Sequence, residues 1–145
     1  MLKNLAIGLP IMLLCLALQA TFTFWSLRHY AGPHREALLP GPFVQIRSLL
    51  VVMMVLILGN FLQILIWGAL FIVLGEFTEW YEAVYHSAVN FSSLGYGDVV
   101  MSKRWKLLGP LEASNGVLMF GLTGAALVAI LQQMVRTLAA DGKAP

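Results

Sequence analysis

Ser93-Leu94-Gly95-Tyr96-Gly97-Asp98 places two glycines within three residues, flanked by one hydroxyl and one carboxylate. Glycine accepts positive φ at little steric cost, so Gly95 and Gly97 allow an extended strand whose carbonyls all face one axis. Four copies of such a strand around a common axis supply the oxygens that replace a cation's hydration shell. The chemistry on offer is coordination of a permeant ion. No nucleophile and base occur together in a plausible pocket, so the chain is expected not to be an enzyme, and no cofactor is expected.

Such a strand must be held at membrane depth, where irregular backbone is tolerated only if protein buries it or a water-filled cavity borders it. The composition fits a bilayer: the 145 residues are 59% hydrophobic and 11% charged, with a mean hydropathy of +0.81. Three stretches without Asp, Glu, Lys or Arg, 4–27, 48–75 and 113–135, reach or exceed the roughly 20 helical residues that cross a hydrocarbon core. The first, within an N-terminal span over 1–27, also has the outline of a secretory signal, with Lys3 before the apolar run and Ala20-Thr21 after it. Residues 28–47 hold Pro33, Pro40, Gly41 and Pro42 and are expected to form a loop, with Pro42 placed to start the second helix.

Between the second and third spans, 79–92 carries aromatic and aliphatic residues at helical spacing with no Gly or Pro. A helix of that length is too short to span. The expectation is an all-α membrane protein: an N-terminal helix, an outer helix over 48–75, a re-entrant helix over 79–92 leading into a strand over 93–98, an inner helix over 111–135, and a tail over 136–145. The net charge of +2 comes from 9 basic and 7 acidic residues scattered over the loops, so nucleic acid is not an expected partner. The single cysteine, Cys15, lies in an apolar run and is read as a packing residue.

Ser93-Leu94-Gly95-Tyr96-Gly97-Asp98 resembles the potassium-filter signature Thr-Val-Gly-Tyr-Gly, with Ser for Thr, Leu for Val and the following Asp retained. The order of elements over 48–135 resembles the two-helix pore module of prokaryotic potassium channels, preceded here by one extra span. The inner stretch Phe120-Gly121-Leu122-Thr123-Gly124-Ala125-Ala126-Leu127 is similar to that of simple bacterial members. The resemblance implies a homotetramer in the plasma membrane, specifically a bacterial inner membrane, conducting K+ passively through a selectivity filter at Ser93, Leu94, Gly95, Tyr96 and Gly97. Carbonyls of Ser93, Leu94, Gly95 and Tyr96, with the Ser93 hydroxyl, would bind the ions. Gly116 matches the family's hinge glycine, and Phe120 and Gly124, one turn apart, would line the cavity. Close helix packing is the alternative role for these glycines.

Other positions depart from the family pattern. Many members carry an acid four residues before the filter, where this chain has Val89. The aromatic pair on the same helix corresponds to Tyr85 and His86, one of which is expected to donate a hydrogen bond to Asp98 or to the Tyr96 hydroxyl. His86 in that role would make the filter sensitive to external pH; packing against a neighbouring subunit is its alternative. Ser92 and Asn90 are expected to support the filter backbone, and Asn60 with Gln63 to bond between helices. No helix carries Arg at every third position, and nine residues follow Arg136, so neither a voltage sensor nor a ligand-binding domain is expected. With Asp98 outside, as the resemblance implies, the 28–47 loop and the tail are cytoplasmic, while Lys103, Arg104 and Lys106 lie outside. A weakly selective cation pore and a non-conducting subunit that modulates a partner remain as alternatives to a potassium channel.

Overall fold

The computed structural model describes residues 1–36 and 42–141. Four helices follow one another: α1 (Leu2–Glu36), α2 (Pro42–Val73), α3 (Trp80–Phe91) and α4 (Leu108–Asp141). Three of them are long and apolar enough to cross a membrane, over Leu2–His29, Phe43–Val73 and Leu108–Arg136. The protein is therefore a multi-pass membrane protein built from helices.

α2 starts on Pro42, whose missing N–H falls where a helix leaves its donors free. It ends at Val73 and is closed by Gly75 at φ +74°, with Gly75 N–H on the Ile72 carbonyl and Glu76 N–H on the Phe71 carbonyl. The loop expected over 28–47 is corrected in part. α1 runs on through Pro33 to Glu36, and α2 already covers 42–47. Extending an existing helix costs far less than starting one, and Pro33 removes one hydrogen bond only three residues before the end. Residues 37–41 of that loop lie outside the described residues. α4 likewise begins at Leu108, earlier than 111, and continues to Asp141 through the first part of the expected tail.

The long helices pack with one another, and α3 is inserted between α2 and α4. A core of Trp67, Phe71, Phe77, Ala83, Phe91, Trp105, Leu108 and Met119 joins the foot of the re-entrant element to the bundle. At Gly68 a Cβ would lie 3.3 Å from the Val84 Cα, so α2 and α3 touch nearly backbone to backbone. A second contact layer is polar. Gln63 Nε2 donates to Gln19 Oε1 at 2.8 Å, and Gln19 Nε2 and Asn60 Nδ2 both donate to Thr123 Oγ1, at 2.9 and 3.2 Å. This network ties α1, α2 and α4 together in an apolar setting, where an unpaired amide would be costly. At one end of the bundle Asn4 Nδ2 donates to the Arg104 carbonyl, so α1 and α4 start side by side and run in the same direction.

Candidate ion-conduction site

α3 has twelve residues, about 18 Å of helix at 1.5 Å rise, and so reaches only part-way into a bilayer. Its end is set by hydrogen bonds: Ser93 N–H meets the Asn90 carbonyl at 2.8 Å and Leu94 N–H meets the Val89 carbonyl at 3.0 Å. This closure places Ser93 at the left-handed position, φ +59°, where glycine is usual. Gly95 and Gly97 follow at φ +61° and +74°, while Leu94 and Tyr96 keep negative φ. Every second residue from Ser93 to Gly97 is thus left-handed. Such an alternation lets successive carbonyls face a common side, and among the described residues none of these five carbonyls accepts a hydrogen bond.

The segment is anchored from behind by α3. Of the two aromatic candidates, Tyr85 donates its hydroxyl to Asp98 Oδ2 at 2.7 Å, which holds the Asp98 carboxyl below its ordinary range and pushes the Tyr85 hydroxyl up. His86 instead meets the Val99 carbonyl with Nδ1, at 3.0 Å, and packs its ring against Phe71 and Phe77. Tyr96 and Leu94 are exposed. Ser92 turns its hydroxyl back onto the Ala88 carbonyl at 2.6 Å and does not reach the 93–97 strand; a serine at a helix end finds its own carbonyls first. A cavity of about 340 Å³ lies behind the strand, lined by His86, Val89, Asn90, Ser93, Gly95 and Gly97 among others.

One functional neighbour is not found by sequence reasoning. Val89 occupies the position where similar channels carry an acid, yet Glu112 of α4 is fully buried against α3, accepting from Asn90 Nδ2 at 3.2 Å and paired with the Ser87 hydroxyl. The available signal is twofold: Ser87 and Asn90 form a polar i,i+3 face on α3, and Glu112 stands within an apolar span. On the same helix Gly116 sits against the Phe91 carbonyl. Phe120 packs edge-on to Phe91, 5.5 Å between centroids, and remains about half exposed, whereas a Cβ at Gly121 or Gly124 would meet nothing within 4 Å.

His86 sets an expectation for pH. Burial holds its pKa below the ordinary 6.5, outweighing the opposite pull of the Val99 carbonyl and of the Asp98 and Glu76 carboxylates. Between the lowered and the ordinary value the unfolded chain binds more protons than the folded one. The arrangement is therefore most stable above about pH 6.5 and weakens as pH falls below it. Thermal stability should decline on acidification from about pH 7 to 5, and His86→Gln, which keeps a donor for Val99, should flatten that decline. Superimposable profiles would remove His86 as the sensor.

A short helix and a glycine-containing extended segment between two membrane-length apolar helices have the element order of the pore-loop class of membrane protein. The chain matches the ion channel family over residues 50–133, more than half its length, and belongs to that family, a class of transport proteins rather than enzymes. The match takes in α2 from its third turn, all of α3, the 93–97 strand and most of α4, leaving α1 outside. No curated protein and no solved structure matches the chain.

Proposed function

We propose that the chain is one of four identical subunits of a potassium-selective channel, conducting K+ passively across a plasma membrane. The observation that carries this reading is the alternation of left-handed φ at Ser93, Gly95 and Gly97 with five carbonyls that have no hydrogen-bond partner among the described residues. Four such strands around an axis would offer rings of oxygens to a dehydrated cation, at Ser93, Leu94, Gly95 and Tyr96, with the Ser93 hydroxyl at the inner end. Single-chain carbonyls left free at membrane depth are costly, and the ring gives them a ligand. α3 directs its C-terminal end to the inner side of the strand, and four macrodipoles of about half an elementary charge each would favour a cation there without an acidic side chain.

Assembly accounts for other exposed groups. The Tyr96 and Leu94 side chains, 67% and 59% exposed in one chain, would pack against adjacent copies. Gly124, with open space around it, and the exposed side of Phe120 would face the central cavity. The orientation with Asp98 outside puts the first residues of α1 and the Lys103, Arg104 and Lys106 cluster outside as well.

Flux from liposomes holding the purified chain tests the proposal. Rubidium and potassium should permeate while sodium is excluded by at least about tenfold, the equivalent of only about 1.4 kcal/mol between ions. Equal sodium flux would leave a non-selective cation pore, for which the Ser93 and Leu94 replacements are the specific pointer. No flux from a purified tetramer would leave a non-conducting subunit.

A further inference from the structure

The hydrogen bonds around Glu112 count its protons. Ser87 Oγ stands 2.7 Å from the Ile64 carbonyl of α2 and also pairs with Glu112 Oε1. A hydroxyl carries one proton, and a carbonyl carries none. If Ser87 donates to Ile64, the contact with Glu112 needs a proton from the acid. If Ser87 donates to Glu112, two acceptor oxygens face each other at 2.7 Å with nothing between them. The first arrangement satisfies every group.

The other carboxyl oxygen accepts from Asn90, whose Nδ2 also faces His86 Nε2 at 2.9 Å. Both amide protons of Asn90 are then used, so His86 Nε2 must accept, and Nδ1 carries the hydrogen given to Val99. Asn90 of α3 is thus a double donor, to Glu112 of α4 on one side and to His86 on the other, and His86 in turn donates to the residue after Asp98. The titratable groups around it are Cys15 of α1, beside Asn115 and Trp67, and His86 of α3, which Asp98 and Glu76 approach from the loops. Among the described residues no lysine or arginine pairs with Glu112, and its carboxyl group has no exposed surface. An ionised carboxylate in such a site would be far more costly than a neutral acid.

We infer that Glu112 is held as a neutral carboxylic acid and acts as a positioning residue, tying the inner helix through Asn90 and His86 to the outer end of the conduction strand. The inference rests on the conduction reading only for its consequence, not for its geometry. The link is specific in direction. With Glu112 in place, Asn90 is fixed with its nitrogen toward His86, which disfavours the charged imidazole. Without it, Asn90 is free to turn its oxygen to His86 and accept from the protonated ring.

Two measurements on the purified full chain test this. An infrared difference spectrum between wild type and Glu112→Gln at neutral pH should contain a protonated-carboxyl C=O band that shifts in D2O; a carboxylate pair of bands in its place would overturn the inference. Titration of the His86 ring by NMR should give the same midpoint in wild type and Glu112→Gln, whose amide donates to Ser87 and accepts from Asn90. The midpoint should rise in Glu112→Ala by about half a unit or more, the scale of one neutral hydrogen bond at 1.36 kcal/mol per unit. An unmoved midpoint in Glu112→Ala would break the relay. Should Glu112→Ala not assemble, the infrared measurement needs only the Gln variant and still decides. Neither readout requires conduction, so a chain that shows both effects and carries no current removes the channel reading and leaves this one standing.

Discussion

Gly95→Ala and Gly97→Ala should each reduce potassium flux to background while leaving assembled protein of unchanged size. Both residues hold left-handed φ, +61° and +74°, and an added Cβ would meet nothing within 4 Å in the chain. The effect is therefore conformational rather than a clash within the subunit. Left-handed backbone costs an L-residue about 1–2 kcal/mol, so the proposed ring of four copies would lose about 4–8 kcal/mol relative to strands that relax to negative φ. At 1.4 kcal/mol per tenfold, about 4 kcal/mol already lowers the fraction of carbonyl-aligned pores roughly a thousandfold. Relaxation at either position swings one carbonyl off the shared side and breaks a ring of ion ligands. Rubidium uptake into liposomes and size-exclusion chromatography are the two readings. Preserved flux in either variant would mean that this strand is not where ions are stripped of water.

Much of this site is legible in the sequence because its signals are local. Gly95 and Gly97 announce positive φ by residue type, Pro42 marks a helix start, and uninterrupted apolar runs measure out the spans. The short helix before the strand follows from spacing alone, and the observed Trp80–Phe91 lies within the expected 79–92. Ser93 is different: its left-handed φ is imposed by the hydrogen bonds closing α3, and nothing about serine signals it. The partners of Ser87 and Asn90 lie more than twenty residues away on another helix, a distance over which periodicity carries no information. The Tyr85 and His86 pair shows the same limit. Their adjacency on α3 is written in the chain, but which of them meets Asp98 depends on the 98–101 turn, whose path is fixed by Glu76 accepting from Ser102 N–H and Oγ, each at 2.6 Å. Helix ends are likewise not legible where propagation overrides a breaker, as at Pro33.

Gly116→Ala is expected to be the most disruptive single-methyl change in the inner helix. A Cβ built at Gly116 would stand 1.8 Å from the Phe91 carbonyl oxygen and 2.7 Å from its carbon. Backbone cannot rotate aside as a side chain can, so α3 and α4 must part by more than an ångström. Phe91 is fully buried and closes the helix on which the 93–97 strand is hung, and Glu112 lies one turn earlier on the same face of α4. Parting the helices there stretches the Asn90 and Ser87 contacts to Glu112 together with the core under Phe91. The cost should reach or exceed the upper part of the about 1–3 kcal/mol seen for overpacked cores. Gly121→Ala and Gly124→Ala are the matched controls, with no atom of the chain within 4 Å of the added methyl and about 1 kcal/mol of helix propensity gained at each. The melting temperature of the purified protein should therefore fall steeply for Gly116→Ala and hold or rise for the other two. A Gly116→Ala protein as stable as wild type would show that α4 swings away from Phe91 without loss, which is the behaviour of a hinge and not of a packing contact.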